Sequence, residues 1–299
     1  MEFAGSMAAL VTPFSQGRVD FKAIQDLVQW HSEQGTDALV VAGSTGEGGM
    51  LTEEERREVL CAAVEKSRSL PRKIPIIAGC GTLSTSATVA MVKAAASYGV
   101  DAVMVVSPCY VKPTQEGLFR HFKTVAGSVE LPMILYNHPG RTGVNIQNET
   151  VLRLCEVCPN IVAMKDSNPD LSRIADLRAQ LPSRVTLLSG DDATNIGFLA
   201  QGGSGIISVT ANVLPALCKT FVEAWRQGNI QKASELHARL MPVHKAMFCE
   251  PNPSPVVYAT AKLRGFSNEV RAPLIAVQEG SESAQRIWMA FQAVQSAAA

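Results

Sequence analysis

The feature that most constrains the fold of this chain is an alternation between short apolar runs and longer segments of helical periodicity. The runs have the length and the β-branched content of buried strands, and each intervening segment is long enough for a helix. The candidate strands are residues 8–12, 38–42, 74–78, 102–107, 133–136, 161–165, 185–189 and 205–209. Eight such units, with no dinucleotide-type glycine fingerprint after the first strand, favour an α/β fold of the closed (β/α)₈ TIM-barrel kind over a doubly wound sheet.

The strand signal stops near residue 228, and three helical segments follow. They are separated by the proline-rich segment 250–255 and by a second break near Ser267 and Asn268. Helical residues resume directly after the prolines, which indicates a rigid turn rather than a linker. We therefore predict a catalytic barrel over residues 1–228 and a C-terminal helical extension over residues 229–299, without a separate functional domain.

Composition excludes several classes of partner. The chain has 299 residues, and its 27 basic and 27 acidic residues are mixed along the sequence, so it shows no basic footprint for nucleic acid or an anionic membrane. It contains neither a secretory signal pattern nor an apolar stretch of about 18 residues, which predicts a cytoplasmic protein. Its seven cysteines are scattered, and Cys155 and Cys158 fall in a helical pattern, so we expect no metal site.

Lys165 indicates the chemistry. It closes the apolar run Ile161-Val162-Ala163-Met164 and so places an amine at the C-terminal end of a predicted strand, where barrel enzymes carry their active sites. Low-dielectric surroundings favour the neutral amine, which is the form that attacks a carbonyl carbon. The sequence therefore predicts a Schiff-base enzyme.

Other strand ends carry polar groups suited to a small substrate. Ser44 and Thr45, in the turn Gly43-Ser44-Thr45-Gly46-Glu47, have hydroxyls and amides that suit a carboxylate, although such a segment is more often only a turn. Tyr136 ends the fifth predicted strand and can move protons, while Arg141 can grip a carboxylate with two hydrogen bonds; a core tyrosine and a surface arginine are the alternatives. Asp191 and Asp192 fit helix capping better than magnesium binding.

Together these segments resemble the pyruvate-dependent class I aldolase family, which includes N-acetylneuraminate lyase and dihydrodipicolinate synthase. The resemblance extends from Gly5 to the C-terminal helices and includes Arg141-Thr142-Gly143, a piece typical of the synthase branch. Further matching segments are Ser107-Pro108-Cys109-Tyr110, Leu188-Ser189-Gly190-Asp191-Asp192, Gly205-Ile206-Ile207-Ser208 and Glu250-Pro251-Asn252-Pro253.

The resemblance implies a reaction and its machinery. Lys165 would form an imine with pyruvate, and the derived enamine would attack L-aspartate 4-semialdehyde to give 4-hydroxy-tetrahydrodipicolinate for lysine (diaminopimelate) biosynthesis. Besides this covalent imine, no cofactor would be needed. The implied catalytic residues are Lys165, Tyr136, Thr45 and Tyr110, and the implied substrate-binding residues are Ser44, Thr45, Arg141, Gly190 and Ile207. Tyr110 would reach into a neighbouring subunit's site, so the resemblance implies a tight dimer at least, with a tetramer usual in the family.

The sequence also departs from lysine-inhibited members of that family. The positions that match their lysine-binding residues are Gly48, Glu53, Arg56, Leu83, Ala87 and Cys109. Leu83 and Ala87 supply neither an amide nor a carboxylate, so weak or absent feedback inhibition by lysine is expected.

Three other functions remain open at this stage. A sister pyruvate aldolase or dehydratase would act on a keto sugar acid, and its aldehyde preference would differ. A metal-dependent barrel enzyme would lose activity with a chelator, and the chain lacks clustered ligands for one. A catalytically silent keto-acid sensor would have no use for Lys165, Tyr136 and Thr45 together.

Overall fold

The computed structural model describes residues 3–296, and its centre is a ring of eight parallel strands. Each strand is hydrogen-bonded to two neighbours, and the first pairs with both the second and the last, which closes the barrel. The barrel strands are β1 (Gly5–Ala9), β2 (Leu39–Val41), β3 (Ile76–Cys80), β4 (Ala102–Val106), β5 (Met133–Asn137), β6 (Ile161–Asp166), β7 (Thr186–Ser189) and β8 (Gly205–Ser208). The predicted TIM barrel is confirmed.

Helices surround the ring and continue beyond the last strand. They are α1 (Phe21–Glu33), α2 (Glu53–Ser69), α3 (Thr85–Ser97), α4 (Gln115–Ala126), α5 (Pro139–Thr142), α6 (Asn148–Val157), α7 (Ser172–Gln180), α8 (Asn195–Ala200), α9 (Pro215–Arg226), α10 (Ile230–Ala246), α11 (Ser254–Arg264) and α12 (Glu282–Ser296). The start of α2 has a local cause: Thr52 and Glu55 form a reciprocal capping box. None of the helices in the described part is long and apolar enough to cross a membrane.

Alternation of side chains along each strand divides the core in two. Val40, Ile134 and Ala163 point into the barrel, while their strand neighbours Leu39 and Leu135 pack outward against the helices. This is the two-residue period of an extended chain. Tyr136 and Lys165 lie two residues beyond Ile134 and Ala163, so the same alternation places both inside the barrel at its C-terminal end.

The first strand differs from its predicted position. It runs over Gly5–Ala9 instead of residues 8–12, because Gly5 pairs with Gly205 and a Cβ atom at Gly205 would lie only 2.3 Å from the Gly5 carbonyl oxygen. Beyond the strand, the Val11 amide donates to the Asn212 side chain instead of to a neighbouring strand (3.0 Å). A two-stranded hairpin, Phe14–Ser15 with Arg18–Val19, follows and was not predicted.

The chain after α9 returns to the barrel. Helix α10 packs against both α9 and α12, and the segment between α10 and α11 reaches the C-terminal ends of the strands. Pro251 and Pro253 precede α11 and Pro255 lies in its first turn, so the helix resumes directly after the predicted turn. Whether residues 229–299 form a unit distinct from residues 1–228 stays a prediction.

Candidate active site

Lys165 and Tyr136 form the centre of the site. Strands β5 and β6 pair in parallel with Tyr136 opposite Lys165. Both side chains are 5% exposed, and the Lys165 Nζ atom lies 4.5 Å from the centre of the Tyr136 ring. The pairing of two strands therefore brings an amine and a phenol together in a nearly buried position at the barrel mouth.

Gly190 leaves room for the lysine. It follows β7, and its amide donates to the Asp166 carbonyl oxygen at 2.8 Å. A Cβ atom at this position would lie 2.8 Å from Lys165 Cε and 2.1 Å from Ser167 Oγ, closer than Cβ contacts in proteins allow. Only glycine lets the backbone of the next strand pass so near the lysine side chain.

A buried polar network holds the end of β6. The Asp166 carboxylate, 1% exposed, accepts hydrogen bonds from Arg173 Nη1 (2.7 Å), Asn137 Nδ2 (3.0 Å) and the Asn168 amide (2.8 Å). Burial raises the pKa of Asp166, while the Arg173 charge opposes that rise. Because Asp166 follows Lys165 directly, this network fixes the backbone that carries the amine.

The turn after β2 presents unused backbone donors. It is closed by hydrogen bonds from the Gly48 amide to the Gly43 carbonyl (2.9 Å) and from Thr12 Oγ1 to the Gly46 carbonyl (2.7 Å). Within residues 3–296, the amides of Ser44 and Thr45 donate to no protein acceptor. Adjacent free N–H groups at a tight turn form a site for an anion such as a carboxylate.

The same turn is tied to the C-terminal part of the chain by Glu47. Its Oε2 atom accepts a hydrogen bond from the Arg271 amide at 2.8 Å, and the Arg271 guanidinium pairs with Glu55 at the start of α2. Burial raises the pKa of Glu47 above its ordinary value. The turn that offers the free amides is thus held from two sides.

The segment after β5 supplies a cation and a neutral imidazole. Arg141 lies in the short helix α5, is exposed, and donates from Nη2 to the Asn252 carbonyl oxygen at 3.4 Å. Burial, together with the charges of Arg141 and Lys165, lowers the pKa of His138 to about 4. His138 is therefore neutral near pH 7, and Arg141 supplies the positive charge of this segment.

A cavity of about 40 Å³ joins most of the predicted site residues. At about 10–15 Å³ for each water molecule, this volume admits about three waters. Those that line it are Ser44, Thr45, Tyr136, Arg141, Lys165 and Gly190. Among the described residues, the hydroxyls of Tyr136 and Thr45 make no hydrogen bond to each other.

Two predicted site residues lie elsewhere. Ile207 is 1% exposed, belongs to the inner core of the barrel with Leu188, and does not line this cavity, whereas Val209 does. Tyr110 is 86% exposed and has a left-handed φ of 68°, which is uncommon for a residue other than glycine. In a single chain Tyr110 does not reach the cavity.

Sequence reasoning missed three polar or aromatic residues of this cavity. His138, Phe248 and Asn252 also line it, and the last two come from the segment between α10 and α11. From the sequence, the proline-rich segment that contains Asn252 is interpreted as a turn and as a matching family segment, without a role for Asn252 itself. The Asn252 side chain donates from Nδ2 to Thr45 Oγ1 at 3.3 Å, across 207 residues of sequence.

A larger cavity adjoins the site. Its volume is about 680 Å³, and it shares Gly43, Ser44, Met104 and Tyr136 with the smaller one. The six positions that are compared with lysine-binding residues on the basis of the sequence all line it: Gly48, Glu53, Arg56, Leu83, Ala87 and Cys109. Arg56 donates to the carbonyl oxygens of Gly79 and Gly48, so its guanidinium is partly occupied by the protein itself.

The acidic pair after β7 has structural partners. Asp191 Oδ1 accepts from the Ala193 amide (3.1 Å), which is the predicted cap. Asp192 instead accepts from the Val209 and Thr210 amides, at 2.9 Å each, and so joins the ends of β7 and β8. Within residues 3–296 no group of three or more His, Cys, Asp or Glu side chains is arranged to hold a metal ion.

A TIM barrel with a buried lysine and tyrosine at the ends of adjacent strands, beside free main-chain amides, has the architecture of a lyase of the class I aldolase type. Residues 2–289 match the model of the Dihydrodipicolinate synthetase family. The chain is 46% identical over 282 residues to the 4-hydroxy-tetrahydrodipicolinate synthase of Parvibaculum lavamentivorans, an alignment that covers 94% of this chain and 95% of the relative. The chain therefore belongs to the dihydrodipicolinate synthetase family.

Solved structures agree with this assignment. Dihydrodipicolinate synthase from Aquifex aeolicus superposes with a TM-score of 0.93 at 39% identity, over 97% of each chain. The chloride-inhibited dihydrodipicolinate synthase from Acinetobacter baumannii, complexed with pyruvate, superposes with a TM-score of 0.91 at 40% identity, over 99% of each chain. The family and the lyase class predicted from the sequence are confirmed.

Proposed function

We propose that this chain is a Schiff-base synthase that condenses pyruvate with L-aspartate 4-semialdehyde to 4-hydroxy-tetrahydrodipicolinate in lysine (diaminopimelate) biosynthesis. The observation that carries the proposal is the nearly buried Lys165 amine, 4.5 Å from the centre of the Tyr136 ring. The free amides of Ser44 and Thr45 and the Arg141 guanidinium border the same cavity. The relatives named as this synthase support the choice of substrates.

The chemistry begins at Lys165. Its Nζ lone pair attacks the C2 carbonyl of pyruvate, and loss of water gives an imine. Removal of a proton from C3 places the electron pair in an enamine, whose C3 attacks the aldehyde carbon while the aldehyde oxygen takes up a proton. The substrate amine then attacks C2, closes the ring and releases Lys165. The positive charge of the imine withdraws the electrons, so the proposed reaction needs no external cofactor.

Tyr136 and Thr45 handle the protons in this scheme. The Tyr136 hydroxyl gives a proton to the departing water and to the aldehyde oxygen, and takes one when the enamine forms. Thr45 connects it to Tyr110 of a second subunit, as the family resemblance implies. Thr45 and Tyr136 line the same cavity. Hydrogen bonds between catalytic groups tighten when substrate is bound.

The carboxylates of the two substrates bind to different elements, the turn after β2 and helix α5. The Ser44 and Thr45 amides and the Ser44 hydroxyl take the pyruvate carboxylate, because they are adjacent donors that border the same cavity as Lys165. Arg141 lies at the exposed rim and takes the semialdehyde carboxylate through its planar guanidinium. Gly190 borders the reacting centre and contributes space rather than a side chain.

Borohydride trapping tests the proposal. Pyruvate with borohydride should give a stable adduct on Lys165, located by peptide mass spectrometry, and Lys165→Arg should give none. Turnover in a coupled assay should depend on aspartate semialdehyde. An adduct without semialdehyde-dependent turnover would indicate a sister aldolase acting on a keto sugar acid, and an unmodified Lys165 would overturn the Schiff-base mechanism.

The working form in this proposal is an oligomer, with a tight dimer as the minimum. Exposed Tyr110, together with Leu83 and Val111 at 51% and 54% exposure, suits contact with a second copy. Mixing an inactive Lys165→Ala chain with a Tyr110→Phe chain tests this: in mixed dimers, one site has both wild-type groups. Recovered activity would support a shared site, and activity no higher than that of the separate variants would contradict it.

We also propose that lysine inhibits this enzyme weakly or not at all. The apolar Leu83 and Ala87 line the larger cavity where an amide and a carboxylate would be needed, and the Arg56 cation repels an ammonium group. Inhibition by sub-millimolar lysine would contradict this. Installing Leu83→Asn with Ala87→Glu should introduce lysine inhibition while leaving turnover without lysine similar.

A further inference from the structure

We propose that Asn252, which lies outside the barrel ring between α10 and α11, is a positioning residue for the condensation. Its side chain orients the Thr45 hydroxyl and its backbone carbonyl holds the Arg141 guanidinium. The inference rests on the proposed function, because Thr45 and Arg141 are the groups through which Asn252 acts.

The contact with Thr45 has directional consequences. Asn252 and Thr45 are 8% and 4% exposed, and the Asn252 amide nitrogen lies 3.3 Å from Thr45 Oγ1. A hydroxyl has one proton to donate and two lone pairs that accept. When Asn252 donates to one lone pair, the hydroxyl proton points elsewhere, and the second lone pair is open to another donor. A single amide thus sets Thr45 to accept on one side and donate on the other, which a proton relay requires.

The contact with Arg141 uses a different atom of the same residue. The backbone oxygen of Asn252 accepts from Arg141 Nη2 at 3.4 Å, and this contact does not involve the amide side chain. Replacement of the side chain therefore separates the two roles. Loss of the Thr45 contact should lower kcat, whereas KM for the semialdehyde should change little while the backbone keeps its position.

Asn252→Ala and Asn252→Asp distinguish the direction of the hydrogen bond. Alanine removes the donor, and kcat should fall about tenfold, the equivalent of one hydrogen bond. A carboxylate can only accept, so Asn252→Asp should draw the Thr45 proton away from the relay and lower kcat by about 10²-fold, as loss of an acid–base group does. Toward acidic pH, the kcat of Asn252→Asp should recover relative to that of the wild type, because the new carboxyl group, once protonated, can donate a hydrogen bond to the Thr45 hydroxyl again.

The control is Asn268→Ala in the same C-terminal part of the chain. Asn268 also donates one side-chain hydrogen bond to its own region, to the Val277 carbonyl at 3.0 Å, but it lies away from the cavity. A double-mutant cycle with Thr45→Ala completes the design. If Asn252 acts through Thr45, Asn252→Ala should have no further effect on kcat once the hydroxyl is gone.

Pyruvate trapping on Lys165 separates the possible failures. Variants of Asn252 should still accumulate the pyruvate adduct on Lys165, more slowly because the relay also serves the loss of water, and the adduct shows that they are folded. If the wild-type protein forms no adduct, the proposed function fails and this inference fails with it. If the wild type traps pyruvate and turns over semialdehyde but Asn252→Asp matches its kcat, only this inference is overturned. Unfolding of both Asn252 variants beside a folded Asn268→Ala would assign a purely structural role and also overturn it.

Discussion

At the scale of single residues, the position of the Lys165 amine depends on the absence of a Cβ atom at Gly190. The backbone of Gly190 passes so close to the lysine side chain that a Cβ atom would lie 2.8 Å from Lys165 Cε. The lysine is therefore held by the barrel interior on one side and by bare backbone on the other.

Gly190→Ala should accordingly disable the lysine. The added methyl group must displace Lys165 or Ser167, and a displacement of about 1 Å at a reacting atom costs about 10²-fold in rate. The rate of borohydride-trapped adduct formation with pyruvate should fall by about that factor. Gly49→Ala is a suitable control, because a Cβ at Gly49 meets no atom within 4 Å. Adduct formation at an unchanged rate in Gly190→Ala would contradict the steric argument.

At the scale of elements, strand alternation explains which parts of the structure the sequence could predict. Strands with a long β-branched run, such as β4 and β6, lie within one residue of their predicted bounds, because apolar burial on both faces gives an unbroken signal. The first strand begins earlier than predicted, since the close approach of Gly5 and Gly205 is a property of two distant segments. The hairpin at Phe14–Ser15 is too short to carry a pattern.

The residues of the candidate site also divide into those that a local sequence pattern predicts and those that it does not. Lys165 and Tyr136 end apolar strands, so their place at the barrel mouth could be predicted from their position in the chain. Phe248 and Asn252 could not, because their place depends on how the chain folds back across the barrel after α10. No local pattern records a hydrogen bond between residues 45 and 252.

Helix α7 stabilises the C-terminal end of strand β6 through a buried ion pair. Arg173 on α7 is 7% exposed and neutralises the buried Asp166 carboxylate next to Lys165. Arg173→Met should destabilise the protein by about 3–5 kcal/mol at pH 7, because it leaves a buried charge without its partner. Chemical denaturation of the wild type and of Arg173→Met, at pH 7 and at pH 5, measures the difference in their free energies of unfolding.

The pH dependence has a definite sign. Burial already raises the pKa of Asp166, and removal of Arg173 takes away the charge that opposes this rise. Protonation in the folded variant therefore occurs at higher pH and relieves part of the cost, so the destabilisation should be smaller at pH 5 than at pH 7. An equal loss of stability at both values would show that the ion pair is not the source.

At the scale of the whole molecule, buried histidines limit stability in acid. His31 on α1 is fully buried, its Nδ1 atom lies 2.9 Å from Thr36 Oγ1, and burial with the nearby Arg264 charge lowers its pKa to about 3. Below pH 6.5 the unfolded chain binds a proton that the folded chain does not take until about pH 3. The stability associated with His31 is therefore present above pH 6.5 and is lost as the pH falls toward 3.

His31→Leu tests this linkage. At pH 5 the wild-type protein should have lost about 2 kcal/mol relative to pH 8 through His31 alone. The variant should be less stable at pH 8, because Thr36 loses its partner, yet its stability should fall less between pH 8 and pH 5. Urea denaturation at the two pH values gives the comparison, and parallel losses in both proteins would exclude His31 as a source of acid sensitivity.

Closure of the ring has a consequence for synthesis on the ribosome. Residue 5 pairs with residue 205, so β1 must wait for its second neighbour while about 200 further residues are made, which takes about 10–40 s at ordinary rates of translation. During that interval the nascent sheet has two open edges that can pair with other chains. The growing chain is therefore more open to pairing with other chains than the finished barrel, in which no barrel strand has a free edge.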